Sequence, residues 1–224
     1  MKITDYKTLV FDCDGVVLDS NKVKTQAFYN AALPYGSVAA DELQRFHTTN
    51  GGISRYKKFE YLLSEVVAND AVGPDLGSLL NAYATEVRQG LLKCKVADGL
   101  AELREMTCNS RWLIVSGGDQ SELREVFESR GLSELFDGGI YGSPDNKEEI
   151  LQREIARRNI VRPALFLGDS RYDHVAAALT GIDFLFIRGW SEFKGHADYC
   201  AEHRLPVIDA LKDLLGGDTR ELNG

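Results

Sequence analysis

The sequence predicts an α/β protein: a parallel sheet covered by helices on both faces, with a helical bundle inserted directly after the first strand. Three observations predict it. A short apolar run, Thr8-Leu9-Val10-Phe11, ends abruptly at Asp12-Cys13-Asp14-Gly15 and reads as a buried strand. About seventy residues of helical periodicity follow without a convincing strand, which is enough chain for a small bundle. From Asp98 onward, strand and helix patterns alternate, and such alternation builds parallel strands joined by crossover helices.

Each element has its own signal. In the insertion, Asp19-Ser20 can cap a helix whose Val23, Ala27, Phe28 and Ala31 share a face, and Pro34-Tyr35-Gly36 stops it. Ser37 can cap a second, short helix through Leu43 and Phe46. A polar loop over 47–52 precedes a third helix carrying Tyr56, Phe59, Leu62, Leu63 and Val66. Gly73-Pro74 opens a fourth, with Leu76, Leu79, Leu80, Tyr83 and Val87 in phase. Beyond the bundle, Asp98 caps a helix bearing Leu100, Leu103 and Met106, and 112–115 form a strand ending at Ser116-Gly117-Gly118. A helix over 121–129 stops at Gly131, and 139–141 read as a short strand. Residues 146–158 read as a charged amphipathic helix. Residues 164–167 form a strand ending at Gly168-Asp169-Ser170, followed by a helix over 173–179 that runs up to Gly181. A strand over 184–187 and a final helix over 210–215 precede a polar tail that reads as frayed. These bounds divide the chain into a discontinuous core, 1–16 and 93–224, and an inserted unit, 17–92.

Composition narrows the function class. The hydrophobic share of 44% and charged share of 27% are those of an ordinary globular protein. A formal charge of −8 argues against nucleic acid or an anionic membrane as partner. No apolar stretch approaches the length of a membrane span, and the first residues lack the apolar region and cleavage site of a signal peptide. The expectation is a cytoplasmic monomer or homodimer. Cys13, Cys94, Cys108 and Cys200 show neither disulfide nor zinc spacing and read as reduced thiols. Alternation points Cys13 away from the flanking aspartates, whose charges oppose thiolate formation.

The chemistry collects at three strand ends, which a parallel sheet places on one edge, where such folds bind ligands. Asp12 and Asp14 lie two residues apart, so both can face the same way from an extended strand end. Two like charges held that close are costly without a cation or proton between them. A polar loop after a core strand is the plain reading of that pair alone. Asp169 and Asp173 bring the carboxylates on this edge to four, and a hard divalent cation such as Mg²⁺ explains such a gathering better than a structural role does. Ser116 can be a helix cap or, with Gly117 and Gly118, can offer a hydroxyl and N–H groups to a phosphate. Lys147 opens a helix. A solvated surface lysine is its ordinary reading, but a cation at a helix N-terminus is disfavoured unless an anion is near.

In this order and spacing, Asp12 and Asp14, then Ser116, then Lys147, then Gly168-Asp169-x-x-x-Asp173 resemble the four signature motifs of the haloacid dehalogenase-like hydrolase superfamily. The helical insertion resembles the cap of the branch that includes phosphoglycolate phosphatase and β-phosphoglucomutase. The resemblance spans essentially the whole chain and implies a Rossmann-like core carrying a helical cap. It implies a Mg²⁺-dependent phosphatase for a small phosphorylated metabolite: a sugar phosphate, a sugar-acid phosphate or a phosphoglycolate-like acid. Asp12 would be the nucleophile and form an aspartyl-phosphate, and Asp14 the acid–base group. The metal would lie between Asp12, the backbone carbonyl of Asp14, and Asp169, with Asp173 holding a metal-bound water or Lys147. Ser116 and Lys147 would stabilise the transferring phosphoryl oxygens. Gly117 departs from relatives, which often place a polar residue there to contact phosphate.

Other readings differ at identifiable residues. A dehalogenase or a phosphonate-cleaving relative does not need Asp14. A β-phosphoglucomutase-like mutase keeps every residue named and differs in how well the cap excludes water. A non-catalytic binding protein on the same fold should have lost at least one of Asp12, Asp14, Lys147 or Asp169, and none is lost. In the cap, Asn50, Arg55 and Lys58 lie in a segment dense in polar and cationic groups, either a solvated turn or the place where an anionic or polyhydroxy leaving group is held.

Overall fold

The computed structural model describes residues 2–68 and 70–216. Six parallel strands lie in the order β3-β2-β1-β4-β5-β6, comprising β1 (Thr8–Phe11), β2 (Arg111–Asp119), β3 (Ile140–Ser143), β4 (Ala164–Gly168), β5 (Asp183–Ile187) and β6 (Val207–Ile208). The chain starts at the centre with β1, adds β2 and β3 outward on one side, then returns to place β4 against the other edge of β1. That reversal makes the carboxyl end of β1 the topological switch point, where a crevice opens between diverging crossovers.

Period two decides the two faces of the sheet. Leu9 and Phe11 belong to one buried cluster with Trp112 and Ile114, while Val10 belongs to the other with Leu113, Val115 and Phe166. Because both faces are covered, β1 and β4 read as unbroken apolar runs rather than alternating ones. Helices α7 (Lys147–Ala156) and α8 (Arg171–Thr180) supply Ile150, Leu151, Ala176 and Ala177 to the second cluster. Helices α5 (Leu100–Met106) and α6 (Gln120–Ser129) cover the first.

The cap is α1 (Asn21–Ala32), α2 (Ser37–Thr49), α3 (Arg55–Tyr61) and α4 (Leu76–Lys93), with one π-helical turn, Leu62–Val66, after α3. Phe28, Leu43, Phe59, Leu79 and Tyr83 pack together inside it, and they are continuous with the first core cluster. The rings of Phe28 and Tyr83 lie 4.2 Å apart.

Several elements differ from the sequence expectation, each for a local reason. Helix α2 continues to Thr49 and takes His47 into its last turn, because His47 is buried against Phe28. Gly36 rather than Ser37 precedes that helix, and Asp75 rather than Gly73-Pro74 caps α4 by accepting from the Ser78 N–H. Ser20 does not cap α1; its hydroxyl donates to Asp14. Asp98 does not cap α5 because it pairs with Lys95, and Gly99 makes the turn. Strand β2 continues through Ser116 to Asp119, and Asp119 caps α6. The helix α9 (His196–His203) and β6 were not foreseen, and the last predicted helix is a 3₁₀ turn, Leu211–Leu215. The polar tail beyond Gly216 lies outside the described residues. Among the described residues no helix is long and apolar enough to cross a membrane.

The contact between α1 and α4 is close enough to test. A Cβ added at Gly90 would stand 2.1 Å from a methyl of Val23, a stiff side chain that cannot swing aside. Gly90→Ala should therefore lower the thermal midpoint, by about 1–3 kcal/mol of overpacking set against the roughly 1 kcal/mol that alanine gains in a helix. Adding Val23→Ala should recover most of the loss, measured by thermal denaturation. A stabilised single variant would show that the two helices are not in contact there.

Candidate active site

The end of β1 places Asp12 at the switch point, 4% exposed, while Asp14 sits one tight turn further on. Gly15 carries the turn on after Asp14 with φ +75°, and a Cβ there would lie 2.1 Å from an Asp169 carboxylate oxygen. Only glycine meets both demands. The β4–α8 connection brings Asp169 and Asp173 to the same place. Ligand atoms of Asp12, Asp169 and Asp173 all fall within 4.8 Å of one another. Lys147, at the start of α7 and 1% exposed, pairs with Asp12 at 2.9 Å and also with Asp173.

The electrostatics follow from burial. It pushes the Asp12 carboxyl up to about 7, with Lys147 opposing and the charges of Asp173 and Asp14 adding to the rise. Burial and the neighbouring Asp12 and Asp173 hold the Asp169 carboxyl well above the usual range. Lys147 goes the other way: burial lowers its pKa, but Asp12 and Asp173 more than offset this and keep it protonated. Asp12 and Asp173 thus share one ammonium, and Asp169 lies beside them with only the Asn21 amide as its donor. That donor set, all hard oxygen with unbalanced negative charge, fits a divalent cation of the Mg²⁺ type.

Asp173 differs in character from the other two. One of its oxygens is taken by Lys147; the other accepts from the Asp169 and Ser170 N–H groups and the Ser170 hydroxyl. It fastens Lys147 and the loop that carries Asp169. Asp169 in turn accepts from the Asn21 amide at 2.7 Å, a contact from the first cap helix. The Asp14 carboxylate lies outside the cluster. Burial would raise its pKa, but Lys24 and Ser20 outweigh this and hold it lowered. Its expected place near a metal was through its backbone carbonyl, and the carboxylate's engagement with Lys24 leaves that carbonyl untouched.

A model of the haloacid dehalogenase-like hydrolases matches residues 6–181. The chain belongs to this family. No curated protein sequence matches it. Among solved structures, it is similar to a candidate phosphoglycolate phosphatase from Lactobacillus plantarum, at 20% identity, covering 96% of this chain and 99% of that one, with a TM-score of 0.71. It is also similar to a predicted phosphoglycolate phosphatase from Haemophilus somnus, at 14% identity over 95% and 98% of the chains, with a TM-score of 0.70. CbbY from Rhodobacter sphaeroides, solved with phosphate, gives 19% identity over 93% and 96%, with a TM-score of 0.66. At these identities the likeness carries the fold.

In this member of the haloacid dehalogenase-like family, core and cap line a partly open cavity of about 280 Å³ with Asp12, Asp14 and Asp169 on its core side. Gly117 and Gly118 line it, whereas Ser116 is fully buried behind them and its hydroxyl accepts from the Gly118 N–H. Gly117 has its own steric reason for lacking a side chain: a Cβ there would lie 2.2 Å from the Gly52 carbonyl oxygen of the cap hairpin.

The cap side separates the three predicted contacts. Asn50 lines the cavity, and its amide N–H donates to the Phe46 carbonyl to close α2. Arg55 also lines it, but its guanidinium forks onto Glu122 of α6 at 2.7 and 2.9 Å, under the Tyr83 ring. Both arms of the fork are engaged in tying cap to core, while the residue stays on the cavity wall where the sequence expectation puts it. Lys58 is 2% exposed, lines the cavity and lies 2.7 Å from His47 Nδ1. Sequence reasoning missed Lys24 altogether, although its signal was present. Position 24 is in helical phase with Ala27, Phe28 and Ala31, so a cation stood on a buried stripe.

The Arg55–Glu122 pair predicts the behaviour of this tie. Removing one partner leaves a charge buried without compensation, which costs about 3–5 kcal/mol. Arg55→Ala should lower the thermal midpoint and slow turnover of every substrate alike, and Arg55→Ala with Glu122→Ala should recover much of the stability. A loss confined to one substrate class, with an unchanged midpoint, would restore Arg55 to substrate recognition.

Proposed function

We propose that the protein is a Mg²⁺-dependent phosphatase that hydrolyses a small phosphorylated metabolite through an aspartyl-phosphate on Asp12. The observation that carries this reading is the buried Asp12–Lys147–Asp173 arrangement beside Asp169 at the sheet's switch point. The names of the solved relatives, two of them assigned as phosphoglycolate phosphatases, agree with it.

Asp12 and Asp169 would hold the cation, with the Asp14 backbone carbonyl as a third ligand. When bound, the cation supplies charge neutralisation between the nucleophile and a phosphate oxygen. The residues do the rest. Asp12, deprotonated beside Lys147, would attack phosphorus as the nucleophile. Lys147, fixed by Asp12 and Asp173 behind the cavity lining, would add positive charge beside the phosphoryl oxygens without reorganisation. Gly117 and Gly118 present backbone rather than side chain to the phosphoryl group, with the Ser116 hydroxyl fixing their conformation. To act as the acid–base group, Asp14 would first take up a proton against Lys24 and Ser20, which hold it ionised, then give that proton to the leaving oxygen and recover one from the water that opens the acyl-phosphate. Lys24 and Ser20 hold that carboxylate in place meanwhile.

Asp12→Asn should keep the fold, since the side chains are isosteric, and reduce Mg²⁺-dependent phosphate release from p-nitrophenyl phosphate by at least about a thousandfold, the scale on which losing a nucleophile acts. Chelation should abolish activity and Mg²⁺ restore it, and Asp169→Asn should raise the Mg²⁺ concentration needed for half-maximal rate. Full turnover in excess chelator, or substantial activity in Asp12→Asn, contradicts the reading.

A further inference from the structure

Asp12 and Asp173 share Lys147, but no cation among the described residues pairs with Asp169. What holds its side chain comes from the cap. Asn21, the first residue of α1, donates from its amide to Asp169 Oδ2 at 2.7 Å and to the Trp190 carbonyl at 2.9 Å. The same amide nitrogen stands against Gly15, where an added Cβ would lie 2.4 Å from it. It is therefore wedged between the Asp169 carboxylate and the turn that carries the Asp14 carbonyl. The other oxygen, Oδ1, accepts from no group among the described residues, and Asp169 lines the cavity.

The segment between β5 and α9 closes a ring of contacts around this carboxylate. The Ser191 hydroxyl donates to the Asp169 backbone carbonyl at 2.6 Å. Glu192 accepts from the Thr25 hydroxyl, one helical turn beyond Asn21 on the same face of α1. Asp169 is thus fixed twice, its side chain by the cap and its backbone by a core loop that the cap also grips. Thr25 and Glu192 dock α1 on that loop without reaching the carboxylate. Asn21 adds a bond that docking alone does not require.

Metal affinity depends on the groups that orient the ligands, and losing one of them costs about 10–100-fold. A freely rotating Asp169 would have to be ordered by the cation, at a cost in side-chain entropy. Here the ordering group belongs to the cap. Whichever comes first, the docked helix or the cation, lowers the ordering cost of the other, and such coupling is reciprocal.

We infer that Asn21 is a positioning residue for the cation: it fixes the Asp169 carboxylate from the cap, so that cation binding and docking of α1 favour one another. The inference rests on the proposal above that Asp169 holds Mg²⁺, and it adds to that proposal a cap residue outside the ligand set.

Calorimetric titration with Mg²⁺ tests this without turnover. Asn21→Leu keeps the volume and removes both N–H donors, and it should weaken Mg²⁺ binding by about tenfold or more. Asn21→Ala should do the same, and it decides the matter if the leucine variant does not fold. Thr25→Val cuts the neighbouring cap–loop contact and should leave Mg²⁺ affinity within about twofold, since it spares the carboxylate. Hydrogen exchange reads the reciprocal effect. Mg²⁺ should slow exchange across α1 and residues 190–192 by about threefold or more in the wild type and in Thr25→Val, and leave it unchanged in the Asn21 variants. A merely structural asparagine would lower the thermal midpoint and move neither quantity. Wild-type Mg²⁺ affinity in both Asn21 variants, or a loss in Thr25→Val as large as theirs, overturns the inference while Asp169 keeps its metal. Mg²⁺ binding with this dependence on Asn21, but no phosphate release from any phosphomonoester, upholds the inference and removes the phosphatase reading. A wild type that binds no Mg²⁺ overturns both.

Discussion

A single ammonium held inside the protein organises this site. Lys147 begins α7, where the helix dipole alone would repel it, and it stays there because it reaches Asp12 at the end of β1 and Asp173 at the start of α8. These contacts set the spacing of three separate crossovers around the switch point. They also leave the cluster short of positive charge, since three buried carboxylates face one lysine. That imbalance is what makes a divalent cation fit, and what would let a phosphate dianion enter an otherwise acidic pocket.

The cap answers the core charge by charge. Lys24 neutralises Asp14, Arg55 neutralises Glu122, and Asn21 donates to Asp169. The Gly52 backbone lies against Gly117, leaving no room for a side chain between cap and core there. Cap helices so tied cannot be a passive lid. Their docking fixes the Asp14 carboxylate through Lys24 and lines one side of the cavity, which links packing in the bundle to the sheet edge.

Much of this was legible in the chain. The apolar run Thr8–Phe11 followed by two aspartates marked a buried strand with chemistry at its end, and the alternation after Asp98 gave the parallel sheet; that β1 stands at the switch point came from the strand order. Lys147 and Asp173 were readable as site candidates because both stand at helix starts next to strand ends. The partnership of Arg55 was not readable: Glu122 lies 67 residues away, and only the docked cap brings the two together. Ser20 and Ser116 each looked like a helix cap, but their hydroxyls take other local partners, Asp14 six residues back and the Gly118 N–H two residues on. Strand β6, two residues long, carried no periodic signal at all. Lys24 and Lys58 did leave a trace, as cations in phase with buried apolar positions on α1 and α3.

The central claim is that Asp12 bonds to phosphorus with a cation bridging it to the substrate. The most direct measurement is a crystal structure of the protein with Mg²⁺ and beryllofluoride, which mimics a phosphoryl group on a carboxylate. The account predicts beryllium bonded to an Asp12 carboxylate oxygen, with Mg²⁺ between Asp12, Asp169 and the Asp14 backbone carbonyl, and Lys147 against the fluorines. Beryllofluoride on another residue, or Mg²⁺ held by the Asp14 carboxylate after loss of its Lys24 pair, would contradict it.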